Sequence, residues 1–278
     1  MKKIATAVAT LLIGAFAVSA QDLAQVTETF NSGAAALSNG EKVEALGFFR
    51  TALEQAKALG EEGAAIVDNC KNIIPDLVSS IAKGLFKEGD IDGAIAKLGE
   101  ALSYAKEFGN AEAESETNTL LGQFLSKKGA DALNVKDFAA AADAYRQALE
   151  IDATNGTAAL RLGMALSGAG DAEGAAEAFK QAAANGQEAA ANKQLANLSL
   201  KAAAAALKAK DFKTALQKAV ESAQINPSAN AYKIAGTASA QLKQYKDAVT
   251  YFTKYLEAAP NAADAAQIKA NIEAFKKL

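Results

Sequence analysis

Ala45, Ala94, Ala141, Ala175, Ala215 and Ala248 stand in the same local phrase, repeated along the chain. Two copies show it well: Lys136-Asp137-Phe138-Ala139-Ala140-Ala141-Ala142-Asp143-Ala144-Tyr145, and Gln244-Tyr245-Lys246-Asp247-Ala248-Val249-Thr250-Tyr251-Phe252. A polar turn leads to an aromatic, then a small residue three positions on, then a large aromatic four further. The alanines are spaced 49, 47, 34, 40 and 33 residues apart. A unit recurring at that interval specifies stacked copies of one supersecondary element, in which each copy touches mainly its neighbours. Such arrays present long continuous surfaces, so binding is the first function class to consider.

The remaining slots fix what the unit is. Leu162-Gly163 opens the fourth copy, Gly170-Asp171 turns it, and Ala175, Phe179 and Ala182 follow. The third copy has Gly129, Phe138, Ala141, Tyr145 and Ala148; the sixth has Tyr232, Gly236, Tyr245, Ala248, Phe252 and Pro260. The second has Ala94, Leu98 and Ala101. The fifth has Phe212, Ala215 and Pro227, with Ala219 in the aromatic slot. The first has Gly33, Ala45, Phe49 and Ala52, with Lys42 where an apolar residue is expected. A glycine or alanine on each helix lets the two axes approach closely, and the aromatic fills the space left between hairpins. Gly40, Gly89 and Gly170 suit turns that need a left-handed residue. Pro227 and Pro260 stop helices, since proline has no N–H to give.

This pattern resembles the tetratricopeptide repeat, a helix-turn-helix unit of about 34 residues. The resemblance implies an all-α fold: an α-solenoid of about six hairpins with a C-terminal capping helix, wound as a right-handed superhelix. Expected repeats are 26–59, 75–108, 122–155, 156–189, 196–229 and 229–262, with the cap at 262–278. Pro75 is expected to begin a first helix, residues from about 187 to lengthen another, and 109–117 to offer a break between subdomains. Ile268, Ile272 and Phe275 recur at helical spacing and give the cap its buried stripe.

Residues 1–20 read differently. Lys2 and Lys3 precede an apolar run from Ile4 to Val18, and Val18-Ser19-Ala20 supplies small residues where a signal peptidase cuts. The run is about 15 residues, short of the ~20 that span a bilayer. This is the pattern of a cleaved secretory signal, leaving 21–278 as the solenoid and no integral membrane segment. The expected location is the periplasm first and the extracellular medium second.

Composition narrows the chemistry. The chain has no histidine, the commonest general base and metal ligand. No phosphate loop appears. Glu61-Glu62 and the Asp90/Asp92 pair read as solvated helix ends, and Gly89–Gly93 is too short for a calcium loop. No catalytic residue, metal or cofactor is therefore expected. Without Lys2 and Lys3, 27 basic face 32 acidic side chains with no basic block, which disfavours nucleic acid. Cys70, the single cysteine, lies in an apolar helical pattern and reads as a small buried hydrophobe, an intermolecular disulfide being the sharper alternative.

In the family the first helices line the inner face. The resemblance places there Thr27, Phe30, Ala34 and Leu37; Asp76, Ser79, Lys83 and Phe86; Ser126, Ala130 and Leu133; Leu160, Met164 and Ser167; Asn197, Leu200, Ala204 and Leu207; and Asn230, Lys233 and Thr237. Of these, Phe86, Leu133, Leu160, Met164, Asn197, Leu200, Asn230, Lys233 and Thr237 form the candidate groove for a protein or peptide partner. The family's carboxylate clamp does not carry over, because Thr237 replaces the expected asparagine. The leading expectation is a non-enzymatic adaptor or scaffold of the cell envelope. The alternative is a structural homo-oligomer that pairs through the same apolar positions. Envelope glycan binding comes last, since the chain has no tryptophan and few tyrosines.

Overall fold

The computed structural model describes residues 20–278. The expected signal segment lies outside the described residues but for its last residue. The described chain is all-α, without strands. It runs as antiparallel pairs: α1 (Ala20–Ser38) with α2 (Lys42–Ala58), α3 (Ala64–Glu88) with α4 (Ile91–Glu107), and α5 (Ala111–Asn134) with α6 (Phe138–Ile151). Then follow α7 (Gly156–Ala169) with α8 (Ala172–Ala182), α9 (Glu188–Lys208) with α10 (Phe212–Ile225), α11 (Ala229–Gln241) with α12 (Tyr245–Ala258), and a last helix, α13 (Ala265–Phe275).

One turn closes every pair. Its hinge residue is left-handed: Gly40, Gly89 and Gly170 at φ 87°, 91° and 89°, and Lys136, Lys210 and Lys243 at 62°, 62° and 60°. In the second pair the Gly89 N–H donates to the Phe86 carbonyl at 3.2 Å and the Asp90 N–H to that of Leu85 at 2.9 Å. The same two bonds recur at the other five turns. They satisfy carbonyls that the ending helix leaves open. The next residue starts the second helix. The carboxylates of Asp90, Asp137, Asp171 and Asp211 accept from the amides of Gly93, Ala140, Gly174 and Thr214. Each such cap is worth about 1 kcal/mol.

Size matching holds each pair together. Gly33, Gly129, Gly163 and Gly236 lie under Phe49, Tyr145, Phe179 and Phe252, always sixteen positions on. A Cβ at Gly129 would sit 2.7 Å from the Tyr145 ring, and one at Gly236 2.6 Å from Phe252. The second pair has Ala82 and Leu98 in these slots and the fifth has Ala203 and Ala219, all fully buried. Where the large residue shrinks, the glycine becomes alanine. The six marker alanines, from Ala45 to Ala248, expose no surface.

Pro75 does not begin a helix. It is buried within α3, which starts at Ala64. An interior proline costs about 3 kcal/mol. Against it stand Ile66, Cys70, Ile73, Ile74, Leu77, Val78 and Ile81, a buried stripe spanning the proline. At roughly 1.5–3 kcal/mol for each large apolar side chain, burial prevails and the helix runs through. The third first helix also starts early, at Ala111. Gly109 (φ 67°) and Asn110, whose Oδ1 accepts from the Ala113 N–H at 3.0 Å, turn α4 into it. α9 begins at Glu188, as the sequence led us to expect, after a short stretch in which Asn185 and Gly186 leave helical geometry.

Packing divides the chain into two units, one ending at Lys128 and one running Gly129–Leu278. The expected break at 109–117 is displaced into α5, because 109–110 forms a tight capped turn. The first unit has its core around Phe30 and Phe49, which meet edge-on at 5.2 Å, with the α3 stripe against them. In the second unit α13 covers the end of the last hairpin, Ile268 and Ile272 packing on Phe252 and Tyr255. Cys70 is buried in the first core, and burial pushes its thiol up to about 12. It is packed as a small hydrophobe.

Candidate partner-binding groove

α3 and α5 lie side by side in the first unit because two contacts set their register. Ser79 and Thr117, both buried, share a hydrogen bond of 3.3 Å. At the same offset, Phe86 stacks on Phe124 with ring centroids 3.9 Å apart. Small residues between these contacts leave a groove of about 310 Å³. Asp76, Ser79, Ser80, Lys83, Gly84 and Lys87 line it from one face of α3. Ala113, Glu116, Thr117 and Leu120 line it from α5, and Lys42 reaches it from the first turn of α2. Its volume is that of a small binding cleft, and its wall is polar and apolar in equal measure.

The helical register read from sequence placed Asp76, Ser79 and Lys83 on an inner face, and they share this groove. Phe86 does not line it; its ring is spent on the stack with Phe124. Phe30 and Ala34 are buried in the core. The α5 wall was missed because the third first helix was expected to start near 122 rather than at Ala111. Lys42 and Lys87 were also missed, although Lys42 was visible as a break in the repeat pattern.

In the second unit the other candidates lie on first helices. Leu133 is half-buried on α5. On α7 Leu160 is half-buried and Met164 is exposed; on α9 Asn197 is exposed and Leu200 half-buried. α11 carries Asn230, Lys233 and Thr237. α9 packs along α11 and touches α7, so first helices adjoin. Lys233 is not a free cation. Its ammonium sits 2.7 Å from Asp264, just before α13, and 5.6 Å from the Tyr255 ring centre. The Tyr255 hydroxyl donates to the other Asp264 oxygen at 2.5 Å. Lys233, then Tyr255, hold the Asp264 carboxyl below the ordinary aspartate range, while Asp264 raises Lys233. The Thr237 hydroxyl donates to the Lys233 carbonyl at 2.8 Å. This cluster fastens the cap.

The polar contacts elsewhere are those of packing. Ser199 donates to Glu221 at 2.8 Å, and Lys218 also binds that carboxylate. Lys218, chiefly, lowers the Glu221 carboxyl, which makes it a weak base. Among the described residues no three metal-ligating side chains converge, and no helix is long and apolar enough to cross a membrane.

Together the left-handed turn, the buried alanines and the small-residue–aromatic pairs define an array of tetratricopeptide-type hairpins. No family model and no curated protein matches the chain. Among solved structures it is similar to the MamA protein, with 21% identity over 69% of this chain and 94% of that one, at a TM-score of 0.38. It is also similar to YrrB, described as a TPR protein with an unusual peptide-binding site: 19% identity, 74% and 96% covered, TM-score 0.39. A third is Pseudomonas aeruginosa pilF, with 15% identity, 88% and 96% covered, and a TM-score of 0.34. The class rests on the hairpins of this chain itself.

Proposed function

We propose that this chain is a non-enzymatic adaptor that holds a protein or peptide partner against the faces of its first helices, in the cell envelope. The observation that carries the reading is the α3/α5 groove. Extended peptides are recognised by main-chain hydrogen bonding combined with pockets for side chains, and this cleft offers hydroxyls, charge and the apolar side chain of Leu120. The first-helix positions of the second unit, Leu133, Leu160, Met164, Asn197, Leu200, Asn230, Lys233 and Thr237, belong to the same proposal. The envelope location is supported by the leader pattern of residues 1–20 in the sequence.

The test is affinity capture from envelope extracts with two variants. Ser80→Trp fills the first-unit groove, and Leu200→Asp puts a charge on α9. Partners are expected to be lost from at least one variant while the helical circular dichroism signal is kept. Retention of every partner by both would refute the reading.

A further inference from the structure

Lys42 departs from the pattern of its own repeat. The slot three residues before each second-helix alanine holds Ile91, Phe138, Phe212 and Tyr245 in four other copies. The lysine in the first copy is half-buried and enters the α3/α5 groove beside Lys83 and Lys87. None of the three makes an ion pair among the described residues. Other lysines of the same unit do: Lys57 with Glu54, Lys97 with Glu100, Lys106 with Glu114 and Lys128 with Asp92. The first copy departs a second time at its cap. Glu41, like Gln244 of the sixth copy, makes no side-chain bond to the start of its helix, whereas Asp90, Asp137, Asp171 and Asp211 cap theirs.

Charge is sorted along the groove. Lys83 and Lys87 lie four and eight residues past Ser79, about 6 and 12 Å along the helix axis. Asp76 lies before Ser79, and Glu116 before its partner Thr117. The turn end is basic and the opposite end acidic. The step of about 6 Å from Lys83 to Lys87 matches alternate residues of an extended chain, at 3.3 Å each. Ser80, one residue past Ser79, makes no hydrogen bond among the described residues, and a Cβ on Gly84, between the two lysines, would meet nothing within 4 Å, so a main chain can come close. No arginine lines the groove, so the planar bidentate grip favoured for phosphate is lacking. The acidic end would repel a polyanion running the length of the groove.

We propose that the basic end receives a short acidic segment of a partner protein in extended form. Carboxylates at alternate positions pair with Lys83 and Lys87, and a further one meets Lys42 at the start of α2. The segment continues past Ser80 toward Glu116 with neutral or basic residues. This rests on the groove being a partner site, as proposed above.

The experiment uses the full chain and fluorescence anisotropy. The probe is a labelled, end-blocked decapeptide in which glutamates alternate with serine and glycine; its lysine counterpart is the control. The glutamate peptide is expected to bind, to weaken as salt rises, and to lose about tenfold or more in affinity with Lys83→Glu/Lys87→Glu. The lysine peptide should gain or stay unbound. Equal binding of both peptides, or none of the acidic one, overturns the proposal. So does inorganic phosphate competing with the peptide at equal concentration, which would make this a small-anion site. Should Ser80→Trp abolish partner capture while the double lysine variant leaves capture and peptide binding intact, the groove stands and the acidic segment falls. Should neither variant matter, both readings fall.

Discussion

Gly163 on α7 lies directly beneath the ring of Phe179 on α8, so close that a Cβ there would stand 2.5 Å from the ring. The absence of a side chain at one position is thus what makes room for the largest one opposite. Gly163→Ala is expected to cost roughly 1–3 kcal/mol by overpacking. Phe179→Ala, which empties a buried site, is expected to cost roughly 3–5 kcal/mol. Adding Phe179→Leu to Gly163→Ala should recover part of the loss. Urea unfolding of Gly163→Ala, Phe179→Leu and their double reads this directly, and strict additivity would deny the contact.

The three left-handed lysines give a prediction of opposite sign. For a non-glycine residue that conformation costs roughly 1–2 kcal/mol, partly offset by the extra freedom of glycine in the unfolded chain. Lys136→Gly, Lys210→Gly and Lys243→Gly are therefore each expected to stabilise by about 0.5–1 kcal/mol, whereas Gly89→Ala and Gly170→Ala should destabilise by a similar amount. Denaturation midpoints at constant slope would check all five.

The cap should come loose in acid. The Asp264 carboxyl is depressed in the folded chain, by Lys233 first and the Tyr255 hydroxyl second. A depressed acid contributes stability that is present above its ordinary value of 3.8 and is lost as pH falls through the folded value. Lys233, raised by the same pair, gives the mirror limb: its contribution is present below 10.5 and is lost as pH rises past the raised value. The melting temperature of the wild type should therefore exceed that of Asp264→Asn across neutral pH. The gap should close in strong acid. A gap independent of pH would show that Asp264 contributes by shape alone.

Cys70 should be silent while the chain is folded. With its thiol enclosed and pushed up to about 12, almost no thiolate exists at pH 8 and reagents have no access. Labelling should occur only at the rate of unfolding, and non-reducing gels should show no covalent dimer. Fast labelling in native buffer would contradict the packing around α3.

Much of this fold could be read before any coordinates. The alanine slots and the aromatic four positions later predicted the close faces, because small residues at fixed spacing have few other uses. The glycine turns were legible for the same reason. The lysine turns were not: Lys136, Lys210 and Lys243 carry no local sign of a left-handed backbone, which the two closing hydrogen bonds impose. Pro75 misled, since the rule that proline starts helices weighs its missing N–H and ignores the apolar stripe on both sides. The late start assigned to α5 was the error that hid one wall of the groove. Asp76, Ser79 and Lys83 were found from helical register; Glu116 and Thr117 could not be, because their helix was not expected to exist there. Lys233 looked like a surface cation because its anchor, Asp264, belongs to the cap rather than to its own hairpin.

The coupling between Gly129 and Tyr145, repeated as Ala82 with Leu98 and as Ala203 with Ala219, has a consequence for how such a chain can change. Within each helical pair a larger residue at one slot goes with a smaller one at the other. A bulkier residue on one helix of the pair can be offset by a smaller one sixteen positions away. Sequence drift can therefore proceed pair by pair, and copies can diverge widely in composition while the backbone path of the array stays the same.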